Sequence, residues 1–216
     1  MDDALIVALA LARVRRAFAR YPRRPVLEGC PHCRCPVQVD QHDLFSLTLS
    51  LGNTVGDRYD VKSLLPLLLE RLVASEELDP AIVIGMLPRE HWRTWPHAEQ
   101  DAVDGYLNTV WRWLLAAYPP QVGSFLDAPT FLNAVAATGE DVGRYLDIWS
   151  NTPSSAADRH LADAVNGLHF ASRNSSAFDI WLRGDVIRDR LYRAFERDHA
   201  SSWADDFARA YDLLRI

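Results

Sequence analysis

Cysteine is scarce in this 216-residue chain, with three residues, Cys30, Cys33 and Cys35, all inside one short stretch. An odd, clustered set does not make a disulfide framework, and a reducing, cytoplasmic setting is the expected one. No run approaches eighteen uncharged apolar residues, so no membrane-spanning segment is expected. The Met1-Asp2-Asp3 start is acidic where a secretory leader would be basic, and no clear cleavage site follows. A glycine-rich phosphate loop, Gly-x-Ser-x-Gly and His-Glu-x-x-His are all missing, which removes the enzyme classes most easily read from sequence. No repeat of fixed period recurs.

What is present is the composition of an ordinary globule, 49% apolar and 24% charged, which excludes disordered and fibrous classes. At this length one compact domain, residues 1–216, can bury roughly 70% of its unfolded surface. The net charge of -6 argues against a general nucleic-acid binder, but the charge is uneven. Arg13, Arg15, Arg16, Arg20, Arg23, Arg24 and Arg34 face only Glu28 between positions 13 and 34, a local +6 that leaves -12 for the rest. Such a patch meets either an acidic partner or the acidic helices of its own fold.

Helical spacing dominates. Val7, Leu11, Val14, Phe18 and Tyr21 recur at threes and fours behind Asp2 and Asp3, and Pro22 ends that helix. Residues 22–39, rich in proline and cysteine, read as an irregular loop. From 41 to 51 the pattern is ambiguous. Asp40 and Asp43 suggest a helix start, while Phe45, Leu47, Leu49 and Leu51 alternate as in a strand, and the absence of a convincing partner strand favours helix. Further helices are expected from Asp60, from Asp79-Pro80 to Pro88, after Trp95, from Asp127-Ala128-Pro129 to Gly139, and as short segments to residue 214. The expected fold is all-α, an irregular array of about nine or ten helices in antiparallel pairs, or a short α-solenoid.

Certain residues also carry a resemblance. Tyr21-Pro22, Leu27-Glu28-Gly29-Cys30-Pro31-x-Cys33, Gly56-Asp57, Asp60, Leu65-Pro66 and Trp92-x-x-Trp95 with Glu99 resemble an uncharacterised bacterial group of all-helical proteins. That group shares a Cys-x-x-Cys opening and a Trp-x-x-Trp helix entry, and the resemblance spans roughly the first half of the chain. It commonly has His-Phe-Leu-Pro-Arg where this chain reads Ser63-Leu64-Leu65-Pro66-Leu67. An activity that used the missing histidine and arginine would be absent here. The resemblance implies no site residue.

Three readings of the cysteines stand side by side. Cys30 and Cys33 have the spacing that lets two thiolates share one Zn²⁺ at ~2.3 Å, with Cys35 and His42 as further ligands. Cys-Pro-His-Cys also occurs in oxidising thioredoxin-fold enzymes, but that chemistry needs a βαβ frame, which this pattern lacks. The third reading is packing by small reduced side chains. Trp111, Trp149, Trp181 and Trp203 fall in helical patterns and suit a core, while Trp92 and Trp95 either lock a helix entry or line a groove. His91 and His97 bracket them without metal-like spacing, and His160, His169 and His199 suit surface or capping positions. The expected function is a protein–protein interaction module, recognising its partner through helix faces and the basic patch, without nucleic acid or membrane. The alternatives are an enzyme with an inter-helix pocket near the cysteine loop and Trp92/Trp95, or a structural zinc protein using Cys30, Cys33, Cys35 and His42. No cofactor other than zinc is expected.

Overall fold

The computed structural model describes residues 3–29, 36–41, 43–168 and 176–215. Among them, α1 (Asp3–Phe18) leads into a small antiparallel hairpin of β1 (Val26–Leu27) and β2 (Val37–Gln38), then a 3-10 turn at Val39–Gln41. The helices α2 (Leu44–Ser50), α3 (Arg58–Ala74), α4 (Pro80–Ile84) and α5 (Met86–Arg89) follow. A second 3-10 turn, Trp92–Thr94, precedes α6 (His97–Ala116), α7 (Ala128–Ala136), α8 (Gly143–Ser150) and α9 (Ser155–Asn166). The chain closes with α10 (Ala177–Leu182), α11 (Asp185–Asp198) and α12 (Ala204–Leu213). The all-α class expected from the spacing holds, and the hairpin is the only sheet among the described residues. No helix among them is long and apolar enough to cross a membrane. One run read as a single helix, 79–88, divides at Gly85 into α4 and α5.

Capping chemistry sets most boundaries. Asp79 and Asp127 each accept a hydrogen bond from a first-turn N–H, as their positions suggested, and Ser176 does the same for α10. α3 begins earlier than the expected Asp60 cap. Asp57 is its N-cap, and Asp60 is the third helical residue, whose carboxylate reaches back to the Asp57 N–H at 2.9 Å. This reciprocal capping box satisfies two otherwise unbonded donors. Pro66 lies inside α3, where it removes the N–H that would bond the Lys62 carbonyl one turn earlier.

The helices pair across the sequence, α1 on α6 and α3, α4 on α7, and α9 against α11 and α12, unlike a solenoid in which neighbours alone touch. α6 is the common axis, touching α1, α7, α8 and α9. On it Trp111 is fully buried, stacked on Phe131 at 4.9 Å between ring centres and edge-on to Trp149 at 5.3 Å. Its ring N–H donates to the Tyr145 carbonyl at 2.9 Å, so the large apolar ring is buried without an orphaned donor.

Candidate functional site

Cys30, Cys33, Cys35 and His42, the expected metal ligands, lie outside the described residues, as does Arg34. The chain on either side of the cysteines is described. β1 and β2 pair Leu27 with Val37, the Val39 N–H donates to Pro25 O at 3.0 Å, and the Gly56 N–H donates to Glu28 O at 2.8 Å. Both ends of the cysteine loop are thereby held together and tied to the entry of α3. Gly56 has φ +69, a left-handed conformation that suits glycine, and a Cβ there would stand 2.8 Å from an Asp60 carboxylate oxygen.

Trp92 and Trp95 are buried and lock the entry of α6. The Trp95 ring N–H donates to Glu90 O at 3.1 Å, and the Arg93 guanidinium lies 3.7 Å from the Trp92 ring centre. Neither lines the cavities described below.

Tyr21, Lys62, Trp95 and Glu99 converge here. Glu99, in the first turn of α6, is 1% exposed, and Lys62, on α3, is 6% exposed. Lys62 Nζ donates to Glu99 Oε2 at 2.7 Å and to the Tyr21 hydroxyl at 3.2 Å, while that hydroxyl donates to Glu99 Oε1 at 2.9 Å. Arg20 completes the set on Oε1. The ammonium also sits 4.4 Å from the Trp95 ring centre and 5.0 Å from that of Tyr21, a cation–π enclosure. Burial pushes the Glu99 carboxyl up, and the donors Lys62, Tyr21 and Arg20 more than reverse this, so it titrates below the ordinary value. Beside this group Arg24 bonds Asp60 with Nε at 2.7 Å and Asp57 at 2.9 Å, fixing the chain after α1 onto the start of α3. An open cleft of about 450 Å³ lies alongside, lined by Pro22, Arg23, Arg24, Pro25, Asp57 and Tyr59. Each polar group of the network is engaged by another. The arrangement is a clamp joining α1, α3 and α6.

A cavity of about 620 Å³ lies between α7, α9 and α10, with Asp127, Asn133, His160, Asp163, Phe178 and Arg183 among its lining. Its rim includes Leu168 and Ser176, where the described chain stops and resumes. Its polar groups have structural duties. Asp127 caps α7, Ser176 and Asp179 form the capping box of α10, and Asp163 accepts the Tyr118 hydroxyl. His160 Nε2 is 2.9 Å from the Ala117 carbonyl at the end of α6, and burial lowers its pKa. Tyr118 is pushed up to about 12, first by burial and then by Asp163, so it stays protonated at neutral pH.

The remaining feature is the outer face of α1. Val7, Leu11, Val14 and Phe18 face the core, yet Leu5 and Leu9 are 52% and 53% exposed on the opposite side, with Ala8 and Ala12 beside them. The same face then turns basic. Arg15 pairs with Glu70 at 2.8 Å, and Arg20 and Arg24 are spent on the clamp, but among the described residues Arg13, Arg16 and Arg23 make no ion pair. The expectation had only the core stripe. The signal for the outer one was Leu5 and Leu9, four apart and out of phase with Val7 and Leu11. Lys62 was likewise overlooked, although it is the only lysine in the chain. Comparisons with protein-family models, with curated proteins and with solved structures gave no match.

Proposed function

We propose that this protein is a protein–protein interaction module that docks through the outer face of α1. The observation that carries this reading is the pair Leu5 and Leu9, each about half exposed on a helix whose other face is already buried. Exposed apolar residues clustered at helical spacing, next to unpaired arginines, have the make-up of a docking patch with a basic border. At the larger cavity Asp127, Ser176 and Asp179 serve helix caps and Asp163 accepts the Tyr118 hydroxyl, and at the smaller cleft Arg24 pairs with Asp57. Changing both leucines to serine should leave the helical circular dichroism and the melting temperature within a few degrees of wild type. The same change should abolish partner association, read by quantitative cross-linking of the tagged protein. Undiminished association in the double variant would defeat the proposal.

A second reading is favoured by one observation, the hairpin that holds both ends of the cysteine loop together. In sequence, Cys30 and Cys33 within that loop have the two-residue spacing of a zinc pair, with Cys35 and His42 as the further ligands proposed. Protein purified without added metal should then carry stoichiometric zinc and melt at lower temperature with chelator, because thiolate–metal bonds formed only in the fold add to its stability. Zinc-free protein that melts alike with and without chelator would remove this reading.

A further inference from the structure

We infer that the cavity between α7, α9 and α10 binds a small organic polycation, a linear aliphatic polyamine. Three carboxylates, Asp127, Asp163 and Asp179, line its volume of about 620 Å³, and none of them makes an ion pair among the described residues. Each is held in place by a neutral donor instead. Asp127 accepts the Thr130 N–H at 2.6 Å, Asp179 accepts the Ser176 N–H at 3.0 Å, and Asp163 accepts the Tyr118 hydroxyl. Such bonds fix the oxygens without cancelling their charge, and each carboxylate keeps lone pairs to offer an ammonium. Arg183 is the one guanidinium in the lining, so the negative charge there is in excess.

His160 supplies a second, separate indication. It lines the same cavity and is only 2% exposed. Its ring N–H serves the carbonyls at the end of α6, with Nε2 2.9 Å from the Ala117 oxygen. A neutral imidazole has one N–H, so its other nitrogen is a bare acceptor, and no described residue supplies a donor to it. Burial lowers the pKa of this ring, while Asp127 and Asp163 both act on it in the opposite direction, which places two of the carboxylates about one imidazole. Acceptors and negative charge on these walls disfavour phosphate or carboxylate ligands. A metal ion needs its ligands gathered at one point, and no three Asp, Glu, His or Cys side chains among the described residues are gathered in that way. Carboxylates spread around a cavity of small-molecule size suit amines spread along a chain. Phe178 and Pro129 offer apolar wall to the methylenes between them, and the Phe178 ring adds a face for an ammonium.

The test is equilibrium dialysis of the full chain against the triamine spermidine, from about 1 μM to about 1 mM free ligand. One spermidine per chain should bind, with a dissociation constant of roughly 10–100 μM. Asp127→Asn/Asp163→Asn should weaken binding about tenfold or more. Asparagine still caps α7 and still accepts the Tyr118 hydroxyl, so the circular dichroism and melting temperature of this variant should stay within a few degrees of wild type. Asp179→Asn alone should weaken binding about threefold to tenfold, which keeps the test decisive if the double variant does not fold. Asp101→Asn/Asp147→Asn removes two exposed carboxylates outside the cavity and should change affinity less than about twofold. A diol of matching length should not displace spermidine, and Mg²⁺ should displace no more than sodium chloride of equal ionic strength. Leu5→Ser/Leu9→Ser should bind as wild type does, so this site stands or falls apart from the docking face of α1. No spermidine retained at about 1 mM would overturn the site. Equal weakening by the exposed pair would reduce it to general attraction of a polycation to an acidic protein, and the inference would fall. Displacement by Mg²⁺ beyond the salt control would make it a metal site and overturn the polyamine.

Discussion

Replacing Lys62 by methionine is expected to lower the unfolding free energy by about 3–5 kcal/mol at neutral pH. The methionine keeps the aliphatic stem against Trp95 and Tyr21 but leaves the 1%-exposed Glu99 carboxylate with Tyr21 and the half-exposed Arg20 alone. Glu99→Gln should cost a comparable amount, because the ammonium then sits buried against aromatic faces without its counter-charge. The double variant Lys62→Met/Glu99→Leu should cost less than the sum of the two single changes by about 2 kcal/mol or more, since neither partner is stranded. The pH dependence follows from the direction of the Glu99 shift. Its carboxyl titrates below the ordinary value in the folded chain. The stabilisation is therefore complete above the unfolded value of about 4.3 and is lost as pH falls through the folded one. Without Lys62 the carboxyl is held up by burial, so protonation relieves the variant, and its deficit narrows between pH 7 and pH 4. Guanidinium unfolding at several pH values checks both parts. A deficit below about 1 kcal/mol at pH 7 would mean that Arg20 alone neutralises Glu99.

Three Gly→Ala changes should separate steric from conformational cost. Gly123 has φ +52, and a Cβ there would lie 2.4 Å from the Leu72 carbonyl oxygen and 2.7 Å from the Val73 carbonyl carbon. Both are backbone atoms at the end of α3, and the neighbouring Ser124 N–H donates to that same Leu72 oxygen at 2.8 Å. The loop cannot retreat without losing this bond. Gly123→Ala should cost about 3–5 kcal/mol, combining left-handed strain with a forced backbone shift. At Gly139, φ is +74 but nothing lies within 4 Å of the added carbon, so about 1–2 kcal/mol is expected. Gly105 lies within α6 and is equally open, so alanine there should stabilise by about 0.5–1 kcal/mol. Equal melting temperatures for the variants at 123 and 139 would show that the α3 terminus yields.

Much of this fold is legible because its caps are local. Asp79-Pro80, Asp127 and Ser176 announce helices through chemistry contained in three or four residues. The 41–51 ambiguity has a physical origin in the coincidence of two periods. Leu47 and Leu51 are buried while Phe45 and Leu49 face outward, so an alternating sequence seven residues long also satisfies a spacing of four. The β1–β2 hairpin escaped the pattern because strands of two residues have no alternation to read. Gly56-Asp57 marked the true start of α3, but Asp60 hid it by being a capping partner itself. The clamp was out of reach for another reason. Lys62 and Glu99 are 37 positions apart, and only the packing of α1, α3 and α6 brings them within 2.7 Å. Residues far apart along the chain became one site only in three dimensions.

The isolation of Lys62 makes amine acylation a direct clock for opening of this protein. No other side chain in the sequence carries a primary amine, and this one is enclosed by Tyr21, Trp95 and Glu99. An acylating reagent in water reaches it only when α1, α3 and α6 part. Incorporation at this single position, read by mass, therefore tracks the equilibrium constant of that separation when reclosing is fast, much as protected amide protons do. The same enclosure makes lysine-directed coupling to beads or dyes a poor way to handle the native chain, because it selects for molecules already unfolded.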